Sequence, residues 1–217
     1  MRSLEPCRHD DAQTLSASDE NSIPQAASAL KRGCLVACPT DTVYGLAAKY
    51  DDLPAVRRLY AVKGRPPEKA IPLLIGALSD AEGIAADFPP TARALAEAFW
   101  PGALTLILKR HEKVPAVVAP GTTVAVRMPA HEWLLALLQT VGPLAVSSAN
   151  RSGKPPKLSA GPVRAALGYH IELIIDGGPA PGGRPSTIAD CSIYPPTVLR
   201  DGPVTAAQLR VALKAAG

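Results

Sequence analysis

Short apolar runs alternate along this chain with longer segments in which apolar residues recur every three or four positions. The first pattern predicts strands buried on both faces, the second helices with one buried stripe. Ser22 with Pro24 opens a predicted helix through Ala26, Ala27 and Leu30 that stops at Gly33. Residues 34–38 then form a continuous apolar run before Pro39. A helix near Pro54 carries Val56, Leu59 and Tyr60 at core spacing and ends around Gly64, which puts Lys63 and Arg65 at its exit. Residues 71–75 predict a strand in which Pro72, with no N–H to give, argues for an edge or a strand start rather than the sheet centre.

Helices near 79–86 and 91–99 lead to a break at Trp100, Pro101 and Gly102. Strands at 104–108 and 124–126, a helix at 131–140 and a strand at 144–146 come next, then strands at 171–175, 187–190 and 197–199 and an amphipathic helix from Thr205. Alternation of this kind predicts one α/β domain over residues 23–217, with a twisted open mixed sheet flanked by helices. Residues 1–22 have little periodicity and predict a mobile tail.

Composition narrows the class of protein. Hydrophobic residues make up 47% of the 217, yet no apolar run approaches the roughly 20 residues needed to span a bilayer, so no membrane segment is expected. Residues 1–30 hold two Arg and five acidic side chains, a net of −3; the whole chain is +4, which leaves +7 on residues 31–217. That surplus suits a phosphorylated ligand or an RNA contact but is no Lys/Arg-dense stripe. Cys7, Cys34, Cys38 and Cys191 show no Cys-x-x-Cys spacing, so neither a zinc site nor a disulfide framework is signalled and a reducing, cytoplasmic setting is expected.

The candidate chemistry sits at predicted strand and helix ends. Lys63, Arg65 and Lys69 present three cations within a segment stiffened by Pro66 and Pro67, a reading that favours phosphate over simple helix capping. Ser147-Ser148-Ala149-Asn150 supplies small hydrogen-bonding groups after an apolar strand, and Arg127 ends another. Thr40-Asp41-Thr42 reads equally as a helix cap or a ligand turn, and Asp176-Gly177-Gly178 as a tight turn. Ligands of open α/β sheets gather where strands end, so these groups are expected on one rim.

Eight strings in order carry a resemblance: Pro39-Thr-Asp-Thr-Val-Tyr-Gly-Leu46, Lys63-Gly-Arg-Pro66, Trp100-Pro-Gly-Ala-Leu-Thr105, Val124-Ala-Val-Arg127, Ser148-Ala-Asn150, Asp176-Gly-Gly178, Ser186-Thr187 and Leu199-Arg200. Over residues 23–205 the chain resembles the YrdC/TsaC family of threonylcarbamoyl-AMP synthases. The resemblance implies a sheet around a positively charged concave cleft, and a reaction of L-threonine, bicarbonate or CO₂ and ATP that yields threonylcarbamoyl-AMP and pyrophosphate for tRNA modification. It implies Thr42, Arg127, Ser148 and Ser186 as threonine contacts, and Lys63, Arg65, Lys69, Thr123, Asn150 and Arg200 on the ATP side, with Lys63 and Arg65 acting on the phosphate charge. Mg²⁺ would accompany ATP, and a downstream threonylcarbamoyl-transferase complex would take the product. Leu73-Leu74 stands where some members have His, Pro185 stands for the usual Glu, and Ser147-Ser148 offers two registers.

Two other readings use the same residues. A basic RNA platform without catalysis would bind tRNA in a salt-sensitive way, though aromatics at 4% provide few stacking surfaces. A carbamoyl-transfer module like that of hydrogenase maturation would prefer carbamoyl phosphate to threonine.

Overall fold

The computed structural model describes Cys7 and residues 11–215. Along the chain run β1 (Gln13–Ser16), α1 (Ser22–Lys31), β2 (Val36–Cys38), β3 (Gly45–Lys49), α2 (Leu53–Lys63), β4 (Leu73–Leu74), α3 (Leu78–Ile84), α4 (Pro90–Phe99), β5 (Leu104–Lys109) and β6 (Thr123–Arg127). Then come α5 (Glu132–Val141), β7 (Leu144–Ser148), α6 (Ala160–Leu167), a 3-10 turn (Gly168–His170), β8 (Leu173–Asp176), β9 (Thr187–Asp190), β10 (Thr197–Arg200) and α7 (Ala206–Ala215). The strands form one sheet in the order β1-β8-β2-β3-β7-β4-β6-β5-β9-β10. Four pairs are parallel (β1·β8, β2·β8, β4·β6, β5·β9) and the other five antiparallel, so the sheet is mixed.

Each strand splits its apolar residues between two faces, as the two-residue period requires. Val36, Cys38, Ala47, Leu74, Leu144, Val146 and Ile175 pack with Leu30 of α1 and Leu134, Leu137 and Leu138 of α5. Ala37, Leu46, Leu73, Val126, Ala145 and Ile174 pack on the other face with Leu59 of α2, Leu95 of α4, Val163 of α6 and Leu209 of α7. On the first face α1 and α5 lie over β2, β3, β7 and β8. The cavity described below opens on that same face, where residues of β5, β6 and β9 are left half-buried.

One expectation is narrowed and three change. β4 lies between β6 and β7 and begins at Leu73, so of the two positions expected for Pro72 it takes the strand start and not the edge. Only two residues of that segment are ladder, and the Pro72 carbonyl still accepts from Val146 N at 2.9 Å, so the missing N–H leaves no broken ladder bond. The expected tail is ordered within the described residues: β1 pairs with β8, and Arg164 of α6 binds the Asp11 carboxylate, the Ala12 carbonyl (2.8 Å) and the Thr14 hydroxyl (2.7 Å). Residues 1–6 and 8–10 lie outside the described residues. Cys7 and Cys34 form a disulfide, with Cα atoms 5.6 Å apart, because the β1·β8 pairing brings the amino-terminal arm back to the end of α1. Finally, β3 and α6 are additional elements; β3 is Gly-Leu-Ala-Ala-Lys, too poor in branched residues to read as a strand.

Candidate active site

Thr40 fixes the first wall. Its hydroxyl donates to Val43 O at 2.8 Å and accepts from Thr42 N and Val43 N, closing a compact turn between β2 and β3. No helix follows, so this segment is not the helix cap that was one reading of its sequence. Thr42 Oγ1 accepts from Arg127 Nη1 at 3.0 Å. The Tyr44 hydroxyl donates to Gly178 O at 2.8 Å and accepts from Gly177 N at 3.2 Å, which clamps the Asp176-Gly177-Gly178 turn against this wall. Burial pushes the Tyr44 phenol up to about 12, so it stays a neutral donor.

Arg127, at the end of β6, is 5% exposed and heavily engaged. Nη2 binds Asp41 Oδ1 at 2.6 Å and Nε donates to Gly102 O at 2.8 Å. With the Thr42 bond, three of its five N–H groups are committed and two remain for a ligand. Burial lowers its pKa and the Asp41 carboxylate opposes that shift; a guanidinium stays charged throughout.

The opposite wall comes from the start of β9 and the end of β10. Ser186 Oγ is hydrogen-bonded to Thr105 Oγ1 at 2.8 Å, and Arg200 donates through Nε to Ser186 O (2.9 Å) and through Nη2 to Ser186 Oγ (3.1 Å). Burial first, then the neighbouring Arg127 guanidinium, lowers the Arg200 pKa, so two cations face one space. Arg65, past the end of α2, is braced by donation from Nε to Lys69 O and from Nη2 to Ala70 O.

These groups meet in a cavity of about 390 Å³. Of the residues expected at the site, Thr42, Arg65, Arg127, Ser148, Asn150, Ser186 and Arg200 line it. Both Ser147 and Ser148 do so, and Ser148 shares with Val146 the face that opens to the cavity. Its described lining carries Arg65, Arg127, Lys154 and Arg200 and no carboxylate.

Three expected residues do not line it. Lys69 is exposed and contributes its carbonyl to Arg65. Thr123 shares the strand face of Ala125 and Arg127 but lies at the far end of β6, opposite Lys109. Lys63 is 2% exposed; its ammonium donates to the carbonyls of Ser148 and Asn150.

Thr105 and Lys154 also line the cavity and were not among the expected ligand contacts; Thr40 lines it as part of the turn read as a cap or a ligand turn. Thr105 sits within the apolar strand β5, where a lone Thr reads as β-branched filler. Asn150 is held by its Nδ2, which donates to Arg151 O (2.8 Å) and Lys154 O (2.7 Å), while its Oδ1 is buried without a partner.

Comparison with known proteins gives this geometry a context. Residues 28–202 match the Sua5/YciO/YrdC family model, described as "Telomere recombination". A threonylcarbamoyl-AMP synthase of Pyrococcus abyssi is 45% identical over 186 residues, covering 85% of this chain and 55% of that protein. One of Chromohalobacter salexigens is 39% identical over 170 residues, covering 77% of this chain and 91% of that protein. The crystal structure of P. abyssi Sua5 complexed with L-threonine superposes with a TM-score of 0.87 at 41% identity, covering 93% of this chain and 60% of that one. The chain thus spans somewhat over half of the P. abyssi protein.

Proposed function

The chain belongs to the Sua5/YciO/YrdC family, and from that premise we propose that it is a threonylcarbamoyl-AMP synthase, joining L-threonine, bicarbonate or CO₂ and ATP. The observation that carries the reading is one cavity in which small hydroxyls and guanidinium groups converge, within the fold of a relative solved with L-threonine.

The chemistry needs no side-chain nucleophile. The threonine amine adds to CO₂ and gives up a proton to water, becoming a carbamate; a carbamate oxygen then attacks the α-phosphorus of ATP, the bond from that phosphorus to the bridging oxygen breaks, and pyrophosphate leaves with the oxygen. The protein's task is to hold the partners, exclude water from the carbamate and meet the charge on phosphorus and pyrophosphate.

Arg127, fixed by Asp41 and Gly102, offers its two remaining N–H groups to the threonine carboxylate beside the Thr42 hydroxyl. Ser148 and Ser186 are suited to the amino acid's polar atoms. Arg65 and Arg200, each with two N–H groups committed to the protein, keep three for phosphate oxygens. The unpartnered Asn150 Oδ1 is an acceptor suited to a ribose hydroxyl or the adenine amino group. Mg²⁺ would be held by the triphosphate and water, because the described lining offers no carboxylate to ligate it.

Purified protein mixed with L-threonine, bicarbonate and MgATP should release pyrophosphate in a threonine-dependent way and form threonylcarbamoyl-AMP, detected by mass spectrometry. Release that ignores threonine, or that carbamoyl phosphate supports instead, overturns the reading.

A further inference from the structure

We propose that Lys63 is a positioning residue that shapes the Ser148–Asn150 turn from beneath and does not itself contact the nucleotide. The inference rests on the synthase reading above and divides the Lys63-Gly64-Arg65 segment into two jobs.

The ammonium is buried under the cavity wall. Two of its three N–H groups are committed, to the carbonyl of Ser148 and, at 2.6 Å, to that of Asn150. A third tie runs in the reverse direction, since Ser152 N donates to Lys63 O at 2.8 Å. The end of α2 is therefore sewn to the chain leaving β7 at three points on both sides of Asn150.

The turn needs such a clamp. Asn150 N also donates to Ser148 O at 2.9 Å, so residues 148–150 curl tightly and two carbonyl oxygens converge on one small volume. Two carbonyl oxygens pressed together repel unless N–H donors lie between them, and Lys63 Nζ supplies two. The residues so curled are those whose side chains form the cavity wall, the Ser148 hydroxyl and the Asn150 amide.

Gly64 makes the division possible. It ends α2 in the left-handed conformation, φ 58° and ψ 39°, so the chain reverses between the two cations. Lys63 stays below the wall and Arg65 emerges on the cavity side.

The two roles predict different behaviour toward threonine alone. A lysine that contacts phosphate has no effect on threonine binding when nucleotide is absent; a lysine that shapes the Ser148 turn does. Calorimetric titration of L-threonine without nucleotide, at a temperature where circular dichroism shows every protein folded, should give at least a tenfold weaker affinity for Lys63→Met. Arg65→Met should stay within twofold of the parent while its KM for ATP rises.

Lys63→Met binding threonine as the parent does, with only its KM for ATP raised, overturns the proposal. Should that variant fail to fold, acetic anhydride labelling of the unaltered protein decides the matter. Lys63 should react far more slowly than Lys69, with MgATP making no difference; fast labelling that MgATP suppresses overturns the assignment. A parent protein that neither binds threonine nor releases pyrophosphate instead defeats the synthase reading on which the inference rests.

Discussion

Replacing Arg127 with Met tests the anchor of the site most directly. The guanidinium and the Asp41 carboxylate are 7% and 12% exposed as side chains and 2.6 Å apart. Met keeps much of the volume but leaves Asp41 without its cation and Gly102 O and Thr42 Oγ1 without a donor. Stranding one charge of a nearly buried pair costs about 3–5 kcal/mol. For a domain whose total stability is roughly 5–15 kcal/mol and whose urea slope is about 2–3 kcal/mol/M, the midpoint should fall by about 1–2 M.

Removing Asp41 as well takes away the orphan. The double variant Asp41→Asn, Arg127→Met should therefore be less destabilised than the sum of the single ones, by about 1–3 kcal/mol of coupling. Urea unfolding followed by circular dichroism and tryptophan fluorescence, with slopes compared, gives both quantities. A loss below about 1 kcal/mol for Arg127→Met, or strict additivity in the double variant, would show that the ion pair does not hold this wall.

Three further outcomes are expected. Burial lowers the Lys63 pKa from 10.5 to about 8, so between those values the unfolded chain carries a proton that the folded one does not; stability from this group should rise from about pH 8 to 10.5. The rise should approach roughly 3 kcal/mol and vanish in Lys63→Met, measured as the difference between the two proteins because Cys38, raised by burial to about 12, loses stability from pH 9 upward. Reducing the Cys7–Cys34 disulfide, which joins residues 27 apart, should cost about 3–4 kcal/mol by the chain-entropy relation and leave threonine affinity unchanged. Gly182→Ala should lower turnover at least about tenfold with little change in circular dichroism. A Cβ there would lie 2.5 Å from Asp41 O and 2.8 Å from Thr42 Cα, forcing the Asp41–Thr42 wall to shift; full activity would show that the wall yields freely.

Local pattern made most elements legible. The strands β5, β6 and β9 stand close to where the apolar pattern predicts them, because one face of each is buried in the core even where the other opens to the cavity. β1 escaped because an edge strand of Gln, Thr, Leu and Ser is mostly exposed and carries no apolar alternation. Strand order was invisible as well; only assembly reveals that Pro72 adjoins the middle of the sheet, since a two-residue strand tolerates what a longer central one would not.

At the site, residue types at strand and helix ends point to Thr42, Arg65, Arg127, Ser148 and Asn150, and the family resemblance adds Ser186 and Arg200, but type alone cannot say which way a cation points. Lys63 and Arg65 are two apart on the sequence, and one left-handed glycine sends them to different sides of a wall. Asp41 was read only as part of a capping or ligand turn, and its partner is 86 residues away.

The two-residue strand β4 has a mechanical meaning. It is the seam of the sheet, with Thr42 and Ser148 belonging to the panel on the β3·β7 side and Arg127, Thr105, Ser186 and Arg200 to the panel on the β6 side. The two walls of the cavity are thus mounted on separate panels that share a short joint. Two side-chain ties cross that joint as well, Arg127 Nη2 to Asp41 Oδ1 at 2.6 Å and Arg127 Nη1 to Thr42 Oγ1 at 3.0 Å, so the panels are held together by four residues' worth of ladder, Leu73 and Leu74 with Val126 and Arg127, and by one guanidinium.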